Sequence, residues 1–261
     1  MLQKTAMKAV AIASLIALLV VLLPAQDVRS LIPPDARGAN PLMTGVFVTP
    51  VPNAPFTATT VTQSTRRLQD GTTEVLKTSS NIARDAEGRI YNERRQTVPG
   101  SFTGTPPLLS GHIYDPVTRL NTFFNPAQRI ARQSKLNGPA PDYQPTSGLP
   151  SAPAPLLNGE PLWRQEDLGT QVMEDVLVHG VRIIRTVPVS ASGTGQPLVV
   201  TDEYWYSDDL HLNMLIKHSD PRTGEQTLTV THVKRGDPAP QMFQVPADYK
   251  VVDETPGTTQ D

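Results

Sequence analysis

The sequence predicts an all-β fold: an antiparallel meander of about 10–12 strands forming a curved sheet or half-barrel, with Pro-rich linkers. Three observations predict it. Several short segments alternate in polarity with period two, as strands do. Turn-forming residues separate these segments, and no helical repeat follows the first 25 residues. The clearest alternation places three apolar residues on one strand face: Leu212, Met214 and Ile216.

The first 25 residues have the three-part pattern of a secretory signal peptide. Lys4 and Lys8 precede an uncharged run of 15 residues, Ala9–Leu23, and the small residue Ala25 stands before the expected cleavage point. The run is shorter than the ~20 residues that a membrane-spanning helix needs. The sequence therefore predicts a secreted or periplasmic protein with no membrane span in the mature chain. An inner-membrane anchor formed by an uncleaved signal is the alternative.

The amino-acid composition excludes several classes of function. The chain has no cysteine, which excludes disulfides, thiol chemistry and a lipid-modified cysteine. Its formal net charge of −2 becomes −4 if Lys4 and Lys8 leave with the signal, and no basic stripe of a nucleic-acid-binding protein is present. No motif implies a cofactor.

Two Pro-rich stretches divide the chain. Residues 26–55 contain six prolines and residues 137–161 contain seven. Proline removes a backbone donor and fixes φ, so neither stretch suits a helix or a central strand. Two blocks of short strands, expected to form one continuous sheet, lie between and after them. The expected divisions are a signal peptide (1–25), an extended lead-in (26–55), a first β block (56–135), a linker (136–161), a second β block (162–254) and a disordered tail (255–261).

Turn signals set the expected strand bounds. In the first block, Asp70-Gly71 is the strongest hairpin signal, and the expected strands are Thr57–Leu68, Thr73–Arg84, Arg89–Thr97, Gly111–Asp115, Thr118–Asn125 and Arg129–Lys135. In the second block, His179-Gly180 is interpreted as a turn, and the expected strands are Thr170–Val178, Val181–Val187, Leu198–Tyr206, His211–Lys217, Thr227–Lys234 and Tyr249–Val252.

Histidine spacing argues against a metal site. The five histidines are His112, His179, His211, His218 and His232. His211 and His218 are an odd number of residues apart, so a strand would point them to opposite faces. The hairpin register that pairs Leu212, Met214 and Ile216 with Leu228 and Val230 places His232 on the Leu212 face, away from His211. No metal site is therefore expected.

Catalytic groups are also not indicated. Asp202 and Glu203 are adjacent and diverge on a strand, Asp202 toward the face of Tyr204 and Tyr206 and Glu203 toward that of Trp205. Cross-strand aromatic pairing explains this stretch better than a pair of catalytic carboxylates. No Gly-x-Ser-x-Gly elbow, phosphate-binding loop or calcium loop is present. No catalytic residue is assigned, and a hydrolase remains only a remote alternative.

Several strings together carry a resemblance: ARDAEGR, EYWYS, SDPRTGEQ and FQVPADY. In this order the chain resembles a family of uncharacterised secreted β-proteins of acidobacteria, over residues 56–135 and 165–252. The resemblance implies no catalytic residue. More remotely, the second half is similar to the periplasmic lipoprotein-carrier (lipoprotein-sorting) superfamily through a strand ending in an aromatic, a hairpin, and a closing Phe-x-Val-Pro. That resemblance implies a curved antiparallel half-barrel that holds acyl chains in an apolar concavity.

These observations favour a non-enzymatic protein that binds an apolar or lipidated ligand, with lipid, lipoprotein or an envelope protein as possible partners. The ligand-binding residues are not fixed by the sequence. Candidates lie with Leu212, Met214, Ile216, Leu228 and Val230, although such residues more commonly form a core. The alternative is an interaction or structural module of the envelope that presents sheet edges to a protein partner.

Overall fold

The computed structural model describes residues 48–68, 70–137 and 163–255. The expected signal peptide, most of the lead-in, residues 138–161 of the linker, the first residue of the second β block (162) and residues 256–261 of the tail lie outside the described residues. All described residues belong to one compact unit, Pro34–Asp261. No helix among them is long and apolar enough to cross a membrane.

The fold is all-β, as predicted, and consists of one curved, unclosed sheet of 13 strands. The strands are β1 (Phe56–Arg67), β2 (Thr73–Arg84), β3 (Ile90–Arg95), β4 (Val98–Pro99), β5 (Leu108–Asp115), β6 (Leu120–Asn125), β7 (Ile130–Lys135), β8 (Arg164–Met173), β9 (Val176–Val187), β10 (Leu198–Ser207), β11 (Leu212–Asp220), β12 (Gly224–Arg235) and β13 (Lys250–Asp253). The described helices are one α-helical turn, Val189–Ser192, and one 3₁₀ turn, Pro240–Phe243.

Two meanders meet at the middle of the sheet. Their order is β13-β7-β6-β5-β3-β2-β1-β12-β11-β10-β9-β8, with β4 paired to β2. The central contact is the antiparallel pairing of β1 with β12, which puts Thr62 opposite Leu228. Because this pairing joins the first described strand to the twelfth, residues from both ends of the chain build one hydrophobic core.

The hairpin around Asp70-Gly71 forms as predicted, with β1 and β2 paired along their full length. Gly71 adopts a φ of 82°, in the region that glycine enters without strain. Turns also lie between β10 and β11 and between β11 and β12, where the expected strands Leu198–Tyr206, His211–Lys217 and Thr227–Lys234 leave gaps. These three turns carry local signals strong enough to be detected in the sequence.

The turn predicted at His179-Gly180 is wrong. Strand β9 runs straight through both residues, and the chain turns instead at Glu174 and Asp175, whose φ angles are 49° and 60°. Positive φ at both central residues defines the two-residue hairpin turn that matches sheet twist, and it usually carries Asn or Gly. Gly180 instead leaves room for the ring of Trp205 on the paired strand β10, because a Cβ at this position would lie 2.6 Å from that ring.

The last strand does not continue the meander as expected. Strand β13 pairs with β7 in parallel, at the far edge of the first meander. To reach it, the chain leaves β12 at the centre of the sheet and passes the 3₁₀ turn, which contacts β3. Phe243, Val245 and Tyr249 in this segment pack against a second cluster of buried residues: Ile113, Phe124 and Ala131. The Phe-x-Val-Pro string therefore covers one face of the first meander.

We call the opposite face the front face. It carries Phe56, Ala58 and Thr60 of β1, and register places Leu228 and Val230 of β12 on the same side. The main hydrophobic core includes these apolar residues together with Val48, Ile82, Ile90, Tyr114, Val176, Val178, Trp205, Leu210, Leu212 and Met214. The face that carries Ile113 and Phe124 is the back face.

Candidate functional site

The five apolar residues considered as ligand-binding candidates lie in the main hydrophobic core or pack against it. Leu212, Met214, Leu228 and Val230 have at most 1% of their surface exposed, whereas Ile216 is partly buried against the same cluster. Ile216 pairs with Leu228 as the hairpin register predicts. In this structure the first four are therefore packed side chains, and Ile216 borders them.

The front face becomes polar near the β11–β12 turn, beside the first residues of β10 and the last residues of β11. Asp202 pairs with His218 across the two strands, and His218 follows Ile216 by two residues on the same side of β11. The Nδ1 atom of His218 lies 2.6 Å from Oδ1 of Asp202, and Nη2 of Arg185 donates to Oδ2 of Asp202 at 2.9 Å. One carboxylate thus holds both an imidazole and a guanidinium.

A second charged pair, Asp220 and Arg222, lies at the same end of β11. Asp220 is the last residue of β11, and its carboxylate accepts hydrogen bonds from Nε of Arg222 at 3.0 Å and Nη2 at 2.7 Å. Its side chain is fully buried. Burial alone would raise the pKa of Asp220, but the hydrogen bonds from the Arg222 side chain and backbone, with the nearby positive charge, bring the pKa below its ordinary value.

We call Arg185, Asp202, His218, Asp220 and Arg222 the polar network. Asp202 and His218 were considered in the sequence only as members of catalytic or metal sites, and Arg185 was missed. The sequence does contain a pattern that could have identified Arg185. This residue lies on the same side of β9 as three buried residues, Val181, Ile183 and Val187. A charge in register with an apolar stripe predicts a buried partner.

Glu203 lies on the other side of β10, as the predicted divergence requires. It accepts hydrogen bonds from Nε1 of Trp205 at 2.7 Å and from Nη2 of Arg182 at 2.9 Å. Burial would raise the pKa of Glu203, but these donors lower it overall. Asp202 and Glu203 therefore serve separate networks and do not face one cleft.

The remaining histidines are dispersed. His112 stacks on Phe123 with ring centroids 4.3 Å apart, and burial lowers its pKa. His179 contacts Asp167 at an exposed position, with Nε2 and Oδ1 2.9 Å apart. Within the described ranges, no group of three or more His, Asp or Glu side chains is arranged to hold a metal ion.

Two histidine positions differ from expectation. His211 belongs to the β10–β11 turn and adopts a φ of 47°, so it precedes the strand. His232 has a φ of 54° and lies where the β1–β12 register shifts by one residue. This bulge turns His232 outward to an exposed position, so the prediction that it shares the Leu212 face is wrong.

A shallow open cavity of about 610 Å³ lies beside the β1–β2 hairpin. Its lining is mixed and mostly polar: Gln63, Thr73, Glu74, Val75, Lys77, Pro99, Gly100 and Ser101. Gln63 and Lys77 are paired across β1 and β2 and are not fully buried. No set of buried polar atoms converges on it within the described part of the chain, which makes the polar network the stronger candidate site.

Together, the sheet and the site define a protein built on one open, curved, mostly antiparallel sheet with a buried polar network at one end of its front face. No family model and no curated protein matches the chain. Similar solved structures include the MucA/MucB complex of Pseudomonas aeruginosa, at 12% identity and a TM-score of 0.36, covering 76% of this chain and 58% of that chain. The chain thus spans less than two thirds of that neighbour.

Two other similar structures are matched over about nine tenths of their own chains. A LolA superfamily protein from Nitrosomonas europaea has 11% identity and a TM-score of 0.27, with 74% of this chain and 91% of that chain covered. LprF from Mycobacterium bovis has 10% identity and a TM-score of 0.29, with coverages of 76% and 91%. The neighbours thus include members of the lipoprotein-sorting superfamily, but at TM-scores below 0.5 none of these likenesses defines a family for the chain.

Proposed function

We propose that this is a secreted, non-enzymatic binding protein that holds an apolar or lipidated ligand against the front face of its sheet. The observation that carries the proposal is the burial of a continuous apolar face by a sheet that does not close. In a closed barrel, widening the interior breaks strand-to-strand hydrogen bonds. The edges of an unclosed sheet, β13 and β8, are not bonded to each other, so admitting a ligand costs side-chain contacts and leaves the ladder intact.

Ile216 is the position at which this proposal is best tested. Ile216 and its neighbour Leu215 both pack against the main core, but from opposite sides of β11: Ile216 pairs with Leu228 on the front face, and Leu215 pairs with Trp205. Both side chains are partly buried. Ile216→Trp should fill space beside Leu228 and weaken binding of a fluorescent acyl probe, and Leu215→Trp is the matched control.

The measurement has two parts. Protein purified from membranes is extracted with organic solvent and examined for acyl species by mass spectrometry, and the probe is then titrated into the delipidated protein. We expect a co-purifying lipid and a probe affinity reduced by Ile216→Trp alone. Absence of both a lipid and probe binding would overturn the proposal.

Secretion is part of the proposal and has its own test. The pattern of Lys4, Lys8 and the uncharged run supports export with cleavage after Ala25. N-terminal sequencing of the protein from an envelope fraction should read from Gln26. A chain that retains Lys4 and stays with the inner membrane would support the uncleaved anchor instead.

A second candidate function is strand addition by a protein partner at β8. This strand is one end of the sheet and has a single neighbour, β9. Val172 and Leu177, paired across the two strands, are 66% and 59% exposed. Crosslinking in the envelope should then capture one dominant protein, and Val172→Lys should abolish the capture without changing binding of the acyl probe.

A further inference from the structure

The carboxylate of Asp202 fixes the tautomer of the neutral His218 imidazole. An ionised carboxylate only accepts hydrogen bonds, so the 2.6 Å contact with Nδ1 places the imidazole proton on Nδ1. In the neutral ring, Nε2 then carries a lone pair and accepts. Arg185 occupies the other carboxylate oxygen, which prevents Asp202 from rotating away.

The Nε2 atom of His218 is buried and has no hydrogen-bond partner among the described residues. Only 6% of the His218 side chain is exposed. Two further buried atoms of this region are unpartnered within the described ranges: Nε of Arg185 and Oγ1 of Thr223, which lies in the turn after Asp220. Buried polar atoms are almost always satisfied by protein, water or ligand, so three unpartnered atoms at one strand end mark a place where a polar group can be accommodated.

The chemistry of these unpartnered atoms selects the ligand group. Nε2 of His218 needs a donor, Nε–H of Arg185 needs an acceptor, and the Thr223 hydroxyl can serve as either. A carboxylate or a phosphate dianion only accepts and an ammonium only donates, so each leaves one kind of unpartnered atom unsatisfied. A hydroxyl both donates and accepts, so one such group can serve both kinds of unpartnered atom.

The unpartnered atoms adjoin the apolar face. His218 follows Ile216 on the front side of β11, and their partners on β12 are Gln226 and Leu228. A ligand lying on the apolar residues would therefore place its end at His218. We propose that the polar network receives a hydroxyl group, and that the ligand of the front face is an alcohol-headed amphiphile. This proposal rests on the proposed binding function and specifies its ligand class.

The test compares two probes on the full chain: 1-dodecanol and 1-methoxyundecane, a methyl ether of equal length that cannot donate. Displacement of a fluorescent acyl probe gives both affinities. We expect wild-type protein to bind the alcohol at least about tenfold more tightly, because the ether leaves the buried Nε2 unpaired. In His218→Phe the preference should fall to within about twofold, with binding of the ether unchanged.

A second measurement needs no variant, so it remains decisive if His218→Phe does not fold. The ¹⁵N chemical shift of His218 Nε2 in wild-type protein should move on saturation with the alcohol and stay fixed with the ether. Equal binding of the two probes with a fixed Nε2 shift would overturn the hydroxyl site and leave apolar binding standing. Failure of both probes to bind would overturn the proposed function as well.

Discussion

The Nη2 atom of Arg84 donates a hydrogen bond of 2.7 Å to the backbone carbonyl of Leu210, 126 residues away in the chain. The same guanidinium donates through Nε to Ala54 O at 2.9 Å and through Nη1 to Thr49 O at 2.8 Å, and it lies 5.1 Å from the ring centroid of Phe56. Arg84 is completely buried, and all three of these acceptors are carbonyls. It ties the segment before β1 and the β10–β11 turn to β2, so it joins the two meanders independently of the β1–β12 ladder.

Replacing Arg84 should destabilise the fold strongly. Burial removes the guanidinium from water, which disfavours its charged form and lowers its pKa to about 10. Arg84→Met removes the buried charge but leaves three carbonyls without their donor, and we expect the free energy of unfolding to fall by about 3 kcal/mol. Urea unfolding measures the change. Arg67→Met, at an exposed position of β1, should shift it by less than about 0.5 kcal/mol, and equal effects of the two variants would contradict this role.

Acid should weaken the protein partly through Asp220. Its folded-state pKa lies below the ordinary value, so its contribution to stability is present above the unfolded-state pKa of about 3.9 and is lost as the pH falls through the folded-state pKa. Asp220→Asn should lower the free energy of unfolding near pH 6 and reduce the further loss on acidification. Urea unfolding near pH 6 and pH 3 provides the comparison. Parallel pH dependence in the two proteins would rule out this contribution.

The sequence predicts local structure well here and non-local structure poorly. The hairpin marked by Asp70-Gly71 forms as expected, because these two residues act through their own backbone conformations. The pairing of β1 with β12 and the parallel contact of β13 depend on chain segments far apart, and no local residue specifies them.

The candidate site likewise could be predicted only where it depends on residues of a single strand. Strand parity correctly separated Asp202 from Glu203, because alternation is a property of one strand. The polar network instead needs Arg185 from β9, Asp202 from β10 and His218 from β11, and its existence depends on their register. The bulge at His232 reverses a parity argument in the same way, since one extra residue moves every later side chain to the other face.

The segment after β12 should stabilise the first meander. Phe243 packs against the back-face cluster, and the guanidinium of Arg89 lies 5.2 Å from its ring centroid. Because the ring is only partly buried, Phe243→Ala should lower the free energy of unfolding by about 2 kcal/mol, below the range for a fully buried Phe. Val251→Ala on β13, where the side chain is 50% exposed, is the control and should cost much less. A smaller effect of Phe243→Ala than of the control would show that the segment does not cover the cluster.

Gly180 and Trp205 form a matched pair, and the reason can be tested directly. A Cβ at Gly180 would lie 2.6 Å from two carbon atoms of the Trp205 indole, closer than any ordinary contact. The Trp205 ring therefore lies directly on the backbone of β9 at Gly180. The Phe124 ring of β6 covers Gly111 of β5 in the same way. Gly180→Ala should force the indole to move and lower the free energy of unfolding by about 1–3 kcal/mol.

A double-mutant cycle separates this steric cause from a general effect of alanine on the strand. Trp205→Leu alone destabilises by creating a cavity, but it also removes the atoms that the new methyl group would meet. The cost of Gly180→Ala should then fall by at least about 1 kcal/mol in the Trp205→Leu background, as urea unfolding of the four proteins can measure. If the cost of Gly180→Ala were the same in both backgrounds, contact with the Trp205 ring would not be the reason that this position of β9 holds a glycine.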